Sequence, residues 1–491
     1  MKQLTGLDAS FLYMETANSF GHVNGLAIYR RPDDPDYKPY EAFKAQVESR
    51  LHLLDPFRRR LVEVPMGLDH PYWINDPDFD IDFHVRHIAI PAPGDNEQLA
   101  AQVARIIGRP MDRSKPLWEA YVMEGLEDDE FAVLTKIHHA TVDGASGVEL
   151  LTILLDSDPD GNAVPADDGS WRADSVPTDL ELLGRTVGSY MRRPARLARV
   201  QLNAVQQMAE ITRNKGLETL VANARRQVPG PFGRSRNGDE ERSAPRTTAP
   251  RTPFNQSITP HRRLAMRSVP LSDIKKLKAK ADATVNDIVM AVCAGALRQY
   301  LLDHDALPEE PLQAMVPVSI RSGDEEDKWT NRVSSLVATL PTNVEDPLER
   351  IEITRAAMAQ AKEQFELVPA DALADLANFS SPALAAQAAR LASSIRLADQ
   401  TSPPVNVVIS NVPGPRQPLY VAGAELQHYY PVSTIGEGMG LNITVHSYQD
   451  TLDFGLVSCR ELVPDLESLV DLHVAEVDGL FKAMKLKRKR G

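Results

Sequence analysis

The chain has 491 residues, 43% of them hydrophobic and 25% charged, and carries a formal net charge of −14. Those values fit a globular protein of two or three domains. They weigh against general binding to nucleic acid, which needs a basic surface to displace counterions from phosphates.

Only two cysteines occur, Cys293 and Cys459. They are too few and too far apart for a disulfide scaffold or a zinc ribbon, so a reducing cytoplasm is expected. The N-terminus lacks a charged head followed by an apolar stretch, and no signal peptide is expected. The longest apolar run, Ile288 to Leu297, is about half of what a membrane-spanning helix requires, so any membrane contact is expected to be peripheral.

In chain order, His22–Arg30 (HVNGLAIYR) reads as a strand. Glu41–Leu54 places Phe43, Val47, Leu51 and Leu54 at helical spacing, and Glu97–Ile107 is a second helix. LWEAYVMEGL and FAVLTKIHH read as consecutive strands around the acidic turn Glu127–Glu130. From Asp156 to Asp174 the composition turns to Asp, Pro, Gly and Ser, a surface loop. A helical stretch is expected from Pro177 to Gln227, broken near Pro194, with Arg192, Arg193, Arg196 and Arg199 clustered on it. Residues 229–251 are rich in Pro, Gly, Arg and Ser and read as a linker. The division is therefore 1–175, a helical and Arg/Pro-rich connection over 176–251, and 252–491.

In the second half HRRLAMRSVP is a strand. TVNDIVMAVCAGALRQYLL is a helix, where Thr284 and Asp287 match a capping box. LQAMVPVSI, Asn331–Leu340 and VNVVISNVPGP are strands, and LNITVHSYQDTLDFGLVS is two strands turning at Gln449-Asp450-Thr451. The tail from Asp465 to Met484 is helical and ends in the basic KLKRKRG.

The stretch AVLTKIHHATVDGASG puts His138 and His139 side by side at the end of an apolar run, with Asp143-Gly144 after them. On a strand, Val133, Thr135, Ile137 and His139 share one face, and Leu134, Lys136 and His138 share the other. Adjacent histidines therefore cannot both aim at one substrate. One is presented to a cavity, and the other holds the backbone from behind. An imidazole is the side chain suited to act as a base near neutrality, Gly144 permits a close-packed turn, and Asp143, if buried, needs a cation. Two other readings stay open on spacing alone. The histidines could be satisfied core residues. His139 and Asp143 could bind a metal, although no third ligand stands at a familiar spacing. GASG at Gly144–Gly147 is one residue short of a nucleophile elbow. GEGMG at Gly436–Gly440 lacks the spacing of a nucleotide cradle and reads as a flexible loop.

His138–Gly144 matches the HHxxxDG signature of CoA-dependent acyltransferases. LDASFLYME at the start, FDIDFHVRHIAIPAPG at Phe79–Gly94, Pro116-Leu117-Trp118-Glu119, Asn286-Asp287, Val316–Arg321 and Ser410–Pro415 extend the match. Together they resemble the bacterial wax ester synthase/acyl-CoA:diacylglycerol acyltransferase family, its actinobacterial triacylglycerol synthases in particular. The resemblance spans nearly the whole chain apart from Pro177–Arg251. It implies an α/β (α+β) fold of two chloramphenicol-acetyltransferase-like domains with the active site in a tunnel between them. His139 is then the catalytic base, supported by His138, Asp143 and Gly144, with Arg60 as the partner of Asp143 and Arg58 as the fallback. Pro116, Leu117, Trp118, Asn286, Asp287 and Asn411 would contact substrate or hold local architecture.

The implied activity joins an acyl-CoA to diacylglycerol. A long-chain alcohol giving wax esters is the alternative, and a non-catalytic acyl-CoA or lipid binder the second. No cofactor besides the acyl-CoA substrate and no metal is implied. The expected location is the cytoplasm, peripheral at the inner membrane face or lipid droplets, with the Arg192–Arg199 cluster and the basic tail available to anionic lipid.

Overall fold

A computed structural model of the chain describes residues 1–142, 144–188, 248–319, 333–366 and 382–488. The Arg192–Arg199 cluster, Asp143, Ile320, Arg321 and most of the expected connection lie outside the described residues.

Three sheets organise the chain. A small one joins β1 (Lys2–Gln3), β3 (Arg59–Val62) and β4 (Tyr72–Asn75) in the order β1-β4-β3. The first large sheet contains β2 (His22–Arg30), β5 (Val85–Ala89), β6 (Trp118–Glu124), β7 (Glu130–His138), β12 (Tyr420–Val421) and β13 (Ala424–Val432), in the order β12-β13-β2-β7-β6-β5. The second contains β8 (Arg262–Pro270), β9 (Leu312–Ser319), β10 (Val333–Leu340), β11 (Val407–Pro413), β14 (Leu441–Tyr448) and β15 (Thr451–Cys459), in the order β10-β9-β11-β14-β15-β8.

Alternation along β7 divides the first sheet's two faces. Val133 and Ile137 pack with Phe43 and Val47 of α2 (Pro39–Arg50) and with Leu150 and Leu154. Leu134 packs the other way, against Leu99 and Val103 of α3 (Asn96–Ile107). The same cluster takes in Leu264 and Met266 of β8 and Val457 of β15. One amphipathic helix thus fills the space between the two large sheets. It starts where Asp95 accepts the Gln98 N–H at 2.8 Å, which satisfies one of the orphan donors of a helix N-terminus.

The second sheet is covered by α5 (Leu271–Ala281), α6 (Val285–Asp303), α7 (Pro347–Glu366) and α9 (Leu466–Ala483), while α1 (Gly6–Tyr13), α4 (Gly144–Leu154) and α8 (Pro382–Ser394) lie elsewhere. The capping box forms as expected: the Thr284 side chain accepts from the Asp287 N–H at 3.1 Å, and the Asp287 carboxylate accepts from the Thr284 N–H at 2.9 Å. By length and composition α6 could cross a membrane, yet 72% of its most apolar window is buried in this protein. Ile288, Val292, Leu297 and Leu301 form the centre of the second core.

One feature departs from the division at residue 252. After β11 the chain leaves the second sheet, adds β12 and β13 to the edge of the first, and returns as β14. Tyr429, Tyr430 and Pro431 pair with Ala27, Leu26 and Gly25 of β2. Asp453 on β15 fastens the excursion, accepting the Tyr429 N–H at 3.0 Å and the Ser268 hydroxyl at 2.6 Å. At Gly455 a Cβ would lie 1.8 Å from the Pro431 carbonyl oxygen, so only glycine lets the two strands approach.

GEGMG is not a flexible loop. Gly436 and Met439 exchange backbone hydrogen bonds, the Gly440 N–H donates to the Phe254 carbonyl at 2.9 Å, and Asn255 donates to the Gly438 carbonyl at 2.8 Å. Cys293 and Cys459 are both buried and free.

Candidate active site around the histidine pair

The backbone of the pair is bolted down residue by residue. The His138 N–H donates to the Leu117 carbonyl at 2.9 Å, and the His139 N–H donates to the Gly21 carbonyl at 2.7 Å. The Ala140 N–H donates to Nδ1 of His138 at 3.0 Å, and the Thr141 N–H donates to the His138 carbonyl at 2.9 Å.

The two rings then meet different surroundings. His138 is 1% exposed. Its Nδ1 lone pair is occupied by the Ala140 N–H, so the proton of the neutral ring sits on Nε2, which points at Oε1 of Glu15 at 3.2 Å. His139 lies just past the strand end and is partly exposed. Its ring is stacked on Phe11 of α1, with centroids 4.3 Å apart and planes within 6°. Both ring nitrogens of His138 are committed to the protein.

Glu15 gathers the groups behind the pair. Oε1 accepts the Gly21 N–H at 2.8 Å as well as the His138 contact, and Oε2 accepts from Arg113 at 2.7 Å. Arg113 continues to the Leu12 carbonyl at 2.8 Å and to Glu63 at 3.0 Å. Burial alone would raise the Glu15 carboxyl, but the His138 and Arg113 contacts and the Gly21 N–H outweigh it and hold the group well below the usual carboxylate range. His22 stands directly opposite His138 across the β2–β7 pair, and burial together with the Lys136 charge keeps it far below the ordinary histidine range. Lys136 is 1% exposed and donates to the carbonyls of Arg109 at 2.7 Å and Ile106 at 3.3 Å, closing the end of α3; burial pulls its pKa down to about 8.

The remaining expected residues separate into two groups. Leu117 and Trp118 are architecture for the pair: Leu117 supplies the carbonyl under His138, and the Trp118 indole donates to the Phe57 carbonyl at 2.8 Å. That indole is stacked between Phe57 and His84, with centroids 4.3 and 4.5 Å away. Pro116 bridges to the Arg60 backbone. Gly144 opens α4. Asn286 and Asp287 start α6, and Asn411 is half-buried in β11; all three belong to the second unit.

The expected pairing of Arg60 with Asp143 falls outside the described residues. The partners described for Arg60 are Asp76 at 3.3 Å and Asp78 at 3.5 Å. Arg58 is buried with its guanidinium 4.9 Å above the Trp171 ring, at the wall of a cleft of about 660 Å³. In the basic tail, Arg488 is taken up by Asp273 at 2.9 Å and Asp478 at 2.7 Å.

Sequence reasoning missed Phe11, Glu15, Gly21 and Arg113 as members of the site. Phe11 and Glu15 lie in LDASFLYME, a stretch singled out without a role. Arg113 stands 98 residues from the carboxylate it meets, and no local pattern joins them.

The chain is similar over nearly its whole length to known proteins. Residues 4–289 match the wax ester synthase/diacylglycerol acyltransferase catalytic domain, and residues 329–480 match the C-terminal domain of the same family. A probable diacylglycerol O-acyltransferase of Mycobacterium tuberculosis is 36% identical over 94% of this chain and 95% of its own. The O-acyltransferase WSD of Acinetobacter baylyi is 33% identical over 100% of this chain and 99% of its own. The solved wax ester synthase/diacylglycerol acyltransferase from Marinobacter aquaeolei VT8 superposes with a TM-score of 0.67 at 30% identity, covering 99% of this chain and 100% of that one. A condensation domain of the calcium-dependent antibiotic synthetase shares the fold, with a TM-score of 0.54 at 15% identity. The chain belongs to the wax ester synthase/diacylglycerol acyltransferase family.

Proposed function

We propose that this protein transfers the acyl group of an acyl-CoA to the free hydroxyl of diacylglycerol, with His139 as the base. The observation that carries the assignment is the contrast within the pair. His138 spends one ring nitrogen on a backbone N–H and the other on Glu15, while His139 stands partly exposed at the strand end with its ring face on Phe11. A base must reach a proton on substrate, and of the pair His138 is 1% exposed while His139 is the partly exposed ring.

In the reaction, a nitrogen of His139 takes the proton of the acceptor hydroxyl as the oxygen attacks the thioester carbonyl. A tetrahedral oxyanion forms and must be met by donors. Collapse breaks the carbon–sulfur bond and releases CoA thiolate, which recovers the proton from the imidazolium. Acyl-CoA enters as a substrate, no acyl-enzyme forms, and the step uses no resident metal or cofactor. Holding both substrates together at His139 makes the attack effectively intramolecular. A water-insoluble acceptor motivates peripheral contact with a membrane or droplet surface.

The family's relatives support both diacylglycerol and long-chain alcohols as acceptors, since one is named for the first and the Marinobacter enzyme for both. Palmitoyl-CoA offered with diolein or with hexadecanol, read by CoA release, decides between them. Faster release with diolein is the expected result. Release with hexadecanol alone makes the protein a wax ester synthase, and release with neither makes it a binding protein.

A further inference from the structure

We propose that Glu15 is a positioning residue for this reaction: its carboxylate fixes the tautomer of His138, the backbone position of His139 and the end of the helix that carries Phe11. The proposal rests on the reading of His139 as the base and adds a residue that acts on it from behind.

Three routes lead from Glu15 to His139. The first is the strand start: Oε1 takes the Gly21 N–H at 2.8 Å, and the Gly21 carbonyl takes the His139 N–H at 2.7 Å. The second is His138, whose Nε2 lies 3.2 Å from Oε1 while its Nδ1 receives the Ala140 N–H. That pair of contacts allows one tautomer only and sets the turn through residues 138–140. The third is Arg113, which joins Oε2 at 2.7 Å to the Leu12 carbonyl at 2.8 Å, one residue beyond the Phe11 that stacks on His139. Gly21 is tightly enclosed, since a Cβ would lie 3.0 Å from the His138 ring and 3.1 Å from the Phe11 carbonyl. Helix, strand start and histidine turn therefore touch one another, with a single acceptor at their junction.

The node needs a carboxylate and not merely a side chain of that shape. Gly21, His138 and Arg113 each present a donor to Glu15, and an ionised carboxylate has only acceptor sites. A glutamine presents an NH2 on one side. Turned toward Arg113, it opposes a cation. Turned toward His138, it requires a lone pair on Nε2, which moves the ring proton to Nδ1 and sets it against the Ala140 N–H. Either way the support of the base loosens, and misplacement of a catalytic group by about 1 Å costs of order 10²-fold in rate.

The test is Glu15→Gln, assayed by CoA release with palmitoyl-CoA and diolein, beside ¹⁵N-histidine spectra of the full chain with His138 assigned by its substitution. The expected result is a kcat at least tenfold lower with the KM for palmitoyl-CoA within twofold of wild type. In the wild-type spectrum His138 carries its proton on Nε2 at pH 8, a readout that does not depend on the variant folding. A kcat within twofold of wild type, a loss expressed wholly in KM, or a wild-type His138 protonated on Nδ1 overturns the proposal. Near-normal turnover in His139→Ala instead removes the base assignment, and the spectrum of His138 still decides what Glu15 does.

Discussion

The two large sheets have the same number of strands and bury different chemistry. Behind β7 the first keeps Lys136, His138, Glu119 and His22 almost wholly out of water. Each buried charge there has partners: Lys136 two carbonyls, Glu119 the Tyr121 hydroxyl at 2.7 Å and Arg86 at 3.3 Å. The second sheet packs α6 through an apolar cluster, and its buried Asp287 serves a helix start while Asp453 serves the seam with β13. Ionised groups are costly to bury unless satisfied. One unit retains them around the histidine pair, and the other uses them at backbone donors and in side-chain pairs such as Arg350 with Glu476 at 2.6 Å and Asp273 with Arg488 at 2.9 Å. The first carries the histidine pair, and the second is a frame that also lends it two strands.

The seam is where this division breaks most easily. Gly455→Ala drives a methyl group into the Pro431 carbonyl, and backbone on both sides leaves nowhere to move. Thermal unfolding is expected to show a loss of about 4 kcal/mol or more, at the upper end for overpacking; a midpoint within a degree of wild type would mean the strands are not seated as described. Next comes the frame itself. Leu297 is fully buried in the second core, and Leu297→Ala should cost about 3 kcal/mol by cavity formation while kcat of the folded enzyme stays within twofold. A tenfold fall in kcat at unchanged fold would show that the second core tunes the chemistry directly.

The smallest effect belongs to Lys136. Its folded pKa of about 8 lies below the ordinary 10.5, so between those values the unfolded chain binds more protons and stability rises with pH. The rise is at most about 3 kcal/mol across that window. Unfolding of wild type and Lys136→Met compared from pH 7.5 to 10.5 should show it in wild type alone. Equal slopes in the two proteins would show that Lys136 keeps its ordinary pKa.

Much of the fold is legible where a face is buried along one element. The alternation that separates Val133 and Ile137 from Leu134 holds in the structure, as do the helical spacing of α3 and the Thr284–Asp287 cap. The inward face of His138 is legible for the same reason, whereas His139 lies just past the strand end, where a period of two no longer applies. β13 is not legible: AELQHYYPV pairs with a strand some 400 residues earlier, and local pattern says nothing about which sheet receives it. The small sheet hides Arg60 similarly. Its described partners are Asp76 and Asp78, brought close by the turn from β3 to β4 and not by any motif. Glu15 escapes because its role exists only after α1, β2 and Arg113 have met.

His139→Ala measures most directly the difference between the two adjacent rings. Purified variant and wild type are compared for CoA release from palmitoyl-CoA in the presence of diolein, with thermal unfolding recorded on the same samples. The predicted result is a rate lower by about 10²–10⁴-fold, the usual contribution of a general base, at an unfolding midpoint close to wild type. A folded His139→Ala protein that turns over at nearly the wild-type rate would contradict it.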